Sequence, residues 1–259
     1  MTETADQTTE HAASNQARRR FLGGIASMAA GLPAGLAFTG IAEAKPADEP
    51  VTDKVRWGML IDTTKCGDGC DACVTACDEE NGLNRQELKG RDTQDTHWIR
   101  KVSLKNKTTG QAFSLPLACQ HCENPPCVDV CPTGASFRRA DGIVLVDKHI
   151  CIGCRYCMMA CPYKARSFIH ETLTEQKPDV PRGKGCVESC TFCVHRVDEG
   201  NLTPACAEAC EKDGHKALVF GDLKDPESPV SKALAEGANT QIRSDLGLNP
   251  GVFFRGIPG

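Results

Sequence analysis

Large aromatic side chains, surplus positive charge and long apolar runs are all scarce in this sequence. Aromatic residues make up 5% of it, with two tryptophans and two tyrosines, which leaves little aromatic material for a core. Thirty Lys and Arg face 34 Asp and Glu for a net charge of −4, which excludes the basic face of a nucleic-acid-binding protein. After Ala44 no uncharged run approaches the ~18 apolar residues of a membrane-spanning helix, which excludes such a helix from that part.

Cysteine, in contrast, is abundant. The chain has 17, and sixteen of them fall into four sets of four, which we name tetrads 1 to 4. In chain order, tetrad 1 is Cys66, Cys70, Cys73 and Cys77; tetrad 2 is Cys119, Cys122, Cys127 and Cys131; tetrad 3 is Cys151, Cys154, Cys157 and Cys161; and tetrad 4 is Cys190, Cys193, Cys206 and Cys210. Cys186 stands outside the tetrads.

Tetrad 3 has the cysteine motif of a bacterial ferredoxin, CIGCRYCMMACP at 151–162. In such a run a tight loop supplies three thiolates to one cubane cluster, while the fourth cysteine, followed by proline, reaches a second cluster. The other tetrads repeat this grouping of four closely spaced cysteines, and a proline, Pro132, again follows the last cysteine of tetrad 2. Four tetrads therefore predict four [4Fe-4S] clusters.

Disulfide bonds and zinc are the two other uses of so many cysteines. A disulfide framework is usual in exported cysteine-rich proteins, but an odd number of thiols, many only two residues apart, suits a shared metal better. Zinc ribbons also use paired Cys-x2-Cys units, yet they do not require a fourth cysteine followed by proline. The rival hypothesis is thus a disulfide- or zinc-stapled binding protein without redox function, which would lack the brown colour of a cluster protein.

The N-terminal segment has the pattern of an export signal. An RRRFL motif at 18–22 matches twin-arginine signals, residues 21–42 are uncharged, and AEA at 42–44 offers a cleavage site. We expect a twin-arginine signal peptide at 1–44 and a four-cluster domain at 45–259, in the periplasm and peripheral to the cytoplasmic membrane. An uncleaved membrane anchor is the alternative, since a stretch of this length could just span a bilayer. The twin-arginine route carries folded proteins, and clusters must be assembled in the cytoplasm.

Short strands and helices alternate after the signal, which predicts an α+β fold. Strands are expected at 57–61, 97–105, 113–118, 165–170 and 217–220, a hairpin at 134–147, and helices at 71–80 and from 228 to about 236. Residues 171–189 read as a connecting loop, and 249–259 as an extended strap that packs either on a neighbouring subunit or on the chain's own core. Because aromatic content is low, the clusters should act partly as the core, and apo-protein should fold poorly.

Six cations and two histidines lie near the cysteines in sequence. A thiolate-ligated cluster is negatively charged, so N–H donors and cations beside its sulfurs raise its potential. His121 and His195 lie inside tetrads that are complete without them, so we expect neither to bind iron. The cations are either cluster partners or ordinary surface charges: Lys65, Lys148, Arg155, Lys164, Arg166 and Arg196.

Several segments resemble a known family. CQHCENPPCVDVCPTGA at 119–135, SCTFCVHRVDEG at 189–200 and PACAEAC at 204–210 are similar to the four-cluster iron-sulfur subunits of the dimethyl sulfoxide reductase family, and the likeness covers nearly the whole chain from Trp57 onward. Within that family, GCRYCMMACPYKARSFIHE at 153–171 and KGCVESCTFCVHR at 184–196 resemble the DsrO branch, the periplasmic iron-sulfur subunits of DsrMKJOP complexes of dissimilatory sulfur metabolism.

The resemblance implies that tetrads exchange their last cysteines, 1 with 4 and 2 with 3. Two ferredoxin-like bicluster lobes would then form a linear wire: an inner lobe at 119–170 and an outer lobe at 57–81 with 186–221, followed by a C-terminal helix and strap at 222–259. The implied ligand sets are set A, Cys66, Cys70, Cys73 and Cys210; set B, Cys77, Cys190, Cys193 and Cys206; set C, Cys119, Cys122, Cys127 and Cys161; and set D, Cys131, Cys151, Cys154 and Cys157.

Three details depart from the family pattern. Cys66 and Cys70 are separated by three residues where two are commoner, and Cys210 is followed by Glu211 in place of proline. Cys186 is either a spare thiol or an alternative to Cys190. We favour Cys190 as the ligand because it has the usual two-residue gap to the next cysteine.

The resemblance also implies a function and partners. Irons capped by four thiolates shuttle electrons and do no bond chemistry, so the chain is expected to be an electron-transfer subunit and not a catalyst by itself. The implied partners are an integral membrane NrfD-type quinone-interacting subunit, a multihaem cytochrome c and the other subunits of a DsrMKJOP-like complex, which would connect the quinone pool to sulfite reduction or sulfur oxidation. The alternative is the iron-sulfur subunit of a periplasmic molybdopterin enzyme, such as a tetrathionate, thiosulfate or polysulfide reductase.

Overall fold

The computed structural model describes residues 50–257, apart from 68, 84–94, 106, 108–109, 111 and 174–175. These residues belong to one compact unit, Ala42–Gly259. The signal peptide expected at 1–44 lies outside the described residues. No helix within the described part is long and apolar enough to cross a membrane.

The elements are short, as expected from the sequence. The strands are β1 (Trp57–Asp62), β2 (Arg100–Lys105), β3 (Ala112–Leu117), β4 (Ser136–Arg138), β5 (Val144–Val146), β6 (Ser167–Phe168), β7 (Val187–Glu188), β8 (Leu218–Asp222) and β9 (Val252–Arg255). The helices are α1 (Ala72–Asn81), α2 (Pro126–Asp129), α3 (Tyr156–Ala160), α4 (Val194–Asp198), α5 (Ala205–Lys212) and α6 (Pro229–Ala235), followed by a 3-10 turn at Ser244–Leu246.

A three-stranded sheet joins the two ends of the described chain. Strand β1 lies in its centre, with β8 antiparallel on one side and β9 parallel on the other. The C-terminal strap is therefore an edge strand of the chain's own sheet, and Phe254, opposite Ile61, is fully buried. Of the two alternatives for the strap, packing on the chain's own core is the one observed.

Three two-stranded ribbons, β2–β3, β4–β5 and β6–β7, connect the cysteine loops. The expected hairpin at 134–147 is β4–β5, whereas the strand expected at 165–170 shortens to Ser167–Phe168. Its partner β7 lies inside the segment expected to be a loop at 171–189. A bidentate ion pair, in which Arg182 Nη2 is 2.7 Å from Glu188 Oε1, is buried beside this ribbon. Sequence pattern misses the ribbon because two-residue strands are too short for any periodicity.

Helix packing brings the tetrads together in two pairs. Helix α1 of tetrad 1 packs against α5 of tetrad 4, and α2 of tetrad 2 packs against α3 of tetrad 3. Cysteines make up a large part of the interior, because seven of the sixteen tetrad cysteines belong to the same buried cluster as Trp98, Phe192 and Phe254. The fold thus places sulfur where an ordinary domain of this size has aliphatic side chains.

Candidate metal centres

Helices α1 and α5 each carry two cysteines one turn apart. Cys73 and Cys77 in α1, and Cys206 and Cys210 in α5, are separated by four residues and therefore share one helix face. All four side chains are buried where the two helices pack. Such a pair of helices can offer one cysteine each to two neighbouring sites.

Set A gathers at one end of this helix pair. Burial raises the pKa of the Cys73 thiol to about 12, and the neighbouring charges that raise it further are those of Cys66, Cys210 and Cys70. Cys66 is less buried, and Lys101 opposes the rise of its pKa by charge and by a hydrogen bond. Three cysteines of tetrad 1 therefore lie with the last cysteine of tetrad 4.

Set B gathers at the other end of the same helices. Burial raises the pKa of the Cys77 thiol far above its usual range, and the neighbours that add to this rise are Cys190, Cys206 and Cys193. The amide of Asn81, one turn further along α1, donates to Cys77 Sγ at 3.6 Å. The last cysteine of tetrad 1 thus lies with the first three of tetrad 4.

Sets C and D repeat this exchange around α2 and α3. Burial raises the pKa of the Cys122 thiol to about 12, with Cys119, Cys127 and Cys161 as the charged neighbours. These four side chains line one enclosed apolar cavity. In set D, burial raises the pKa of the Cys157 thiol, and its neighbours include Cys151 and Cys131. Cys154, in the same loop, is exposed.

The four sets form a line through three electrostatic interactions between cysteines of different sets. Cys206 of set B interacts with Cys73 of set A. Cys190 of set B interacts with Cys119 of set C. Cys127 of set C interacts with Cys157 of set D. The order along the line is therefore A, B, C, D.

Stacked rings fill the junction between the sets B and C. His121, from the loop that carries Cys119, stacks on Phe192, from the loop that carries Cys190, with centroids 3.7 Å apart. The ring of His121 is 1% exposed, and its Nδ1 accepts a hydrogen bond from the backbone of Val144. Burial lowers its pKa to about 3, so this imidazole is neutral and serves as packing at the junction.

His195 and the sequence-adjacent cations occupy different environments. His195 Nε2 lies 2.8 Å from Glu80 Oε1. Arg196 pairs with Glu208, Lys65 with Asp62, and the guanidinium of Arg155 covers the ring of Phe168. Arg166 differs from these cations, because its Nη2 donates to a tetrad sulfur, Cys127 Sγ, at 3.1 Å.

Arg166 lies between sets C and D. It is 6% exposed, and its charged neighbours are Cys127 and Cys119 of set C and Cys157 of set D. Its Nη1 is buried without a hydrogen-bond partner in the described part of the chain. Because an unpaired buried guanidinium nitrogen is costly, this donor fits an additional acceptor such as the sulfide of a cluster.

Removal of this cation should lower the potentials of both adjacent clusters. A charge-assisted hydrogen bond contributes about 1.5–3 kcal/mol, which for one electron corresponds to ~60–130 mV. We expect Arg166→Gln to shift two of the midpoint potentials downward by an amount of this order in an EPR-monitored redox titration. Arg155→Gln is the matched control, since Arg155 is exposed and its charge is screened by solvent. Equal shifts in the two variants would contradict the assignment.

Backbone amides supply further donors to the sulfurs. Ala217 N donates to Cys210 Sγ at 3.2 Å, Ser136 N to Cys131 Sγ at 3.3 Å, and Phe192 N to Cys190 Sγ at 3.5 Å. Donors of this kind stabilise the negative charge of thiolate-ligated clusters. Sequence reasoning missed Lys101, whose Nζ donates to the backbone oxygens of Gly67 and Cys70, because it lies on β2, far from tetrad 1 in the chain.

The spacing of the sulfurs tests what the tetrads could hold. All seventeen cysteines are free thiols in the described structure. Zinc holds sulfur at about 2.3 Å, so two sulfurs on one ion are at most about 4.6 Å apart. Among the described residues, one group of three or more His, Cys, Asp and Glu ligand atoms lies within 4.8 Å of one another, and it contains a single cysteine. The sets are thus wider than a zinc site and fit a larger group, such as a cubane.

Cys186 does not lie with set B. Its Sγ is 3.3 Å from the carbonyl oxygen of Lys148, to which it donates, and its charged neighbours include Cys151 of set D. Cys190 instead interacts with Cys193. The thiol is therefore a neighbour of set D and not an alternative to Cys190. Of the two alternatives for Cys186, the spare thiol is the one that these neighbours favour.

Loss of the Cys186 thiol should leave the metal content intact. Serine preserves the size of the side chain and its hydrogen bond to Lys148 O. We expect Cys186→Ser to retain the iron and acid-labile sulfide of the wild-type protein, measured per chain. Loss of about four irons would mean that Cys186 is a cluster ligand.

Comparisons with known proteins place this chain among iron-sulfur proteins. Two family models, each described as a 4Fe-4S dicluster domain, match residues 65–135 and residues 111–222. The Hdr-like menaquinol oxidoreductase iron-sulfur subunit 1 of Archaeoglobus fulgidus is 45% identical, over 82% of this chain and 87% of its own. A tetrathionate reductase subunit of Salmonella typhimurium is 38% identical, over 87% and 84%.

A third relative extends the range of complexes. Protein NrfC of Escherichia coli is 37% identical, over 91% of this chain and 93% of its own. The similarity therefore spans nearly the full length of each relative and includes all four tetrads. This chain belongs to the family of 4Fe-4S dicluster iron-sulfur subunits that includes the NrfC, tetrathionate reductase and Hdr-like menaquinol oxidoreductase subunits.

Proposed function

We propose that this chain is an exported electron-transfer subunit with four [4Fe-4S] clusters. The clusters are held by sets A to D, and the chain itself catalyses no bond chemistry. The observation that carries the proposal is the linear order of the four sets, in which every neighbouring pair is joined by an electrostatic interaction between two cysteines. When bound, the clusters supply one-electron transfer, and the residues of this chain fix their spacing and the donors around their sulfurs.

The two ends of the line present different surfaces. At the D end, Met159 is 74% exposed, and Ile150, Ile152 and Tyr156 of the same loop and helix are also exposed around Cys154. At the A end, the residues after α5 are polar, and Lys216 pairs with Glu211 on the surface. An exposed apolar patch marks a contact with another protein. A charged end suits a polar contact with a redox partner protein.

These surfaces support an assignment of partners. The D end docks on an integral membrane NrfD-type quinone-interacting subunit, and the A end exchanges electrons with a multihaem cytochrome c within a DsrMKJOP-like complex of dissimilatory sulfur metabolism. The name of the Archaeoglobus relative refers to menaquinol, which supports a connection to the quinone pool. The location is the periplasmic face of the cytoplasmic membrane, on the basis of the RRRFL motif at 18–22.

A molybdopterin complex is the second candidate for the partner. The specific observation in its favour is the similarity to the tetrathionate reductase subunit of Salmonella typhimurium. In that case the A end would face a large molybdenum subunit. Affinity purification from the native membrane separates the two candidates: a c-type haem spectrum without molybdenum supports the cytochrome partner, and stoichiometric molybdenum refutes it.

The iron and acid-labile sulfide content of the anaerobically purified chain tests the four clusters directly. About sixteen of each per chain is the expected result, since each cubane holds four irons and four sulfides. About twelve would mean that one set holds no cluster. Zinc, or no metal, would refute the proposed function.

A further inference from the structure

The segment that follows α5 folds back onto the loop of tetrad 1. The backbone N–H groups of His215 and Lys216 both donate to Cys210 O at 3.1 Å. Gly214 and Lys216 have positive φ angles of 83° and 49°, which close this turn tightly. The side chains of Asp213 and His215 are thereby brought to Cys70 of set A, at the polar end of the line.

Two of these side chains lie beside Cys70. Cys70 Sγ donates to Asp213 Oδ2 at 3.3 Å, and His215 Nε2 is 3.3 Å from the same carboxylate oxygen. The ligand atoms of the three residues lie within 4.8 Å of one another, the one group of its kind in the described part of the chain. A thiol, a carboxylate and an imidazole at this separation could all reach the same metal ion.

Gly67 makes room for the imidazole. A Cβ at residue 67 would stand 2.5 Å from His215 Cε1 and 2.7 Å from Nε2, so a side chain there would force the imidazole to move. Gly67 belongs to the unusual three-residue spacer between Cys66 and Cys70. The irregular loop and the position of His215 are therefore parts of one local arrangement.

The same arrangement weakens the hold of Cys70 on iron. A thiolate at Cys70 would stand 3.3 Å from the Asp213 carboxylate, and two like charges at that distance repel each other. Cys66, in contrast, has the positive charge of Lys101 nearby, which favours its thiolate. Of these two ligands in set A, Cys70 is the one with an anion beside it.

We propose that His215 and Asp213 form a reserve pair for the iron that faces Cys70 in the terminal cluster, with His215 as the substitute ligand and Asp213 as the acceptor for the displaced thiol. The inference rests on the proposed function, in which set A holds a [4Fe-4S] cluster. In the exchange, the bond from iron to Cys70 Sγ would break and His215 would bind the iron through Nε2, after the Nε2 proton has moved through solvent to Nδ1. The released thiolate takes a proton from solvent and donates it in a hydrogen bond to Asp213 Oδ2, and no electron is transferred. The cluster of set A, at the polar end of the line, thus retains its fourth iron when Cys70 no longer binds it.

Removal of the Cys70 thiol tests the reserve pair in the full chain. We expect Cys70→Ala to keep the wild-type iron content and to show, in pulsed EPR of the reduced protein, the ¹⁴N coupling of a directly bound imidazole. The double variant Cys70→Ala/His215→Ala should lose about one iron per chain and show the EPR signal of an oxidised three-iron cluster. A three-iron signal in Cys70→Ala itself, or no ¹⁴N coupling, would overturn the inference.

A matched control and a second variant complete the test. Cys154→Ala removes the second cysteine of tetrad 3, a member of set D that is exposed, and should lose about one iron because it does not belong to the Cys-Asp-His group. If Cys70→Ala does not fold, His215→Ala is the alternative variant, because it retains every cysteine. Its rate of iron loss to a chelator is measured under mild oxidation. Faster loss than in the wild-type protein supports the reserve pair, and an equal rate overturns it. Wild-type protein without iron would instead refute the proposed function.

Discussion

Removal of iron is expected to unfold this protein. Seven tetrad cysteines belong to the principal buried cluster, so loss of the metal leaves thiols facing one another across empty space in the core. Structural metal sites contribute about 10–16 kcal/mol to folding in small zinc domains, whereas a whole domain is stable by about 5–15 kcal/mol. Loss of a single cluster is therefore comparable to the entire stability of the fold.

Oxidation with ferricyanide in the presence of EDTA provides the measurement. We expect the near-UV circular dichroism and the cooperative thermal transition to disappear together with the iron, and a dye for exposed apolar surface to bind. EDTA without oxidant is the control, since it should leave the clusters in place. A cooperative transition at an unchanged midpoint in iron-free protein would contradict a metal-dependent core.

Burial of the thiols also makes iron affinity dependent on pH. Burial raises the pKa of the Cys73, Cys119 and Cys122 thiols to about 12. Each must lose its proton to bind iron, so cluster assembly releases protons and becomes less favourable as the pH falls. The donors and cations around the sulfurs offset this cost once the clusters are in place.

The contrast between Cys77 and Cys186 shows how far the sequence could predict the site. Cys77 follows Cys73 by four residues on a helix, so its placement on the same face is a local property that spacing encodes. Which set each cysteine then joins depends on the packing of α1 on α5. This pairing of tetrads 1 and 4 was expected from family resemblance and not from spacing. Spacing left Cys186 as either a spare thiol or an alternative to Cys190, and only the fold, in which the β6–β7 ribbon carries it to Cys151, distinguishes the two.

The features of the site that spacing could not predict depend on contacts between residues distant in the chain. The sequence marks Arg166 as a cation near tetrad 3 but does not distinguish it from Arg155, since burial and not proximity decides which of the two acts on a cluster. Lys101 reaches Gly67 from a different ribbon. The parallel pairing of β9 with β1 joins segments nearly two hundred residues apart and has no local signature. Short-range spacing thus predicted the chemistry, whereas tertiary packing determines which residues regulate it.

The exchange of cysteines between tetrads predicts that a mutation in tetrad 2 damages the cluster of tetrad 3. Cys131 follows Cys127 closely in the chain, but its thiol interacts with Cys157, whereas Cys127 lies with Cys161. Cys131→Ala should therefore eliminate or convert the cluster of set D and leave that of set C intact. Truncation of one of four thiolate ligands removes a metal bond outright, so the effect on that cluster is loss of at least one iron.

Two reference variants assign the spectra. Cys157→Ala damages set D, and Cys122→Ala damages set C, under either arrangement of the last cysteines, so their EPR spectra identify which signal belongs to which cluster. We expect Cys131→Ala to reproduce the spectrum of Cys157→Ala, and the reciprocal variant Cys161→Ala to reproduce that of Cys122→Ala. If Cys131→Ala matches Cys122→Ala instead, each tetrad keeps its own fourth cysteine. The interaction between Cys127 and Cys157 would then join two clusters whose tetrads exchange no cysteine.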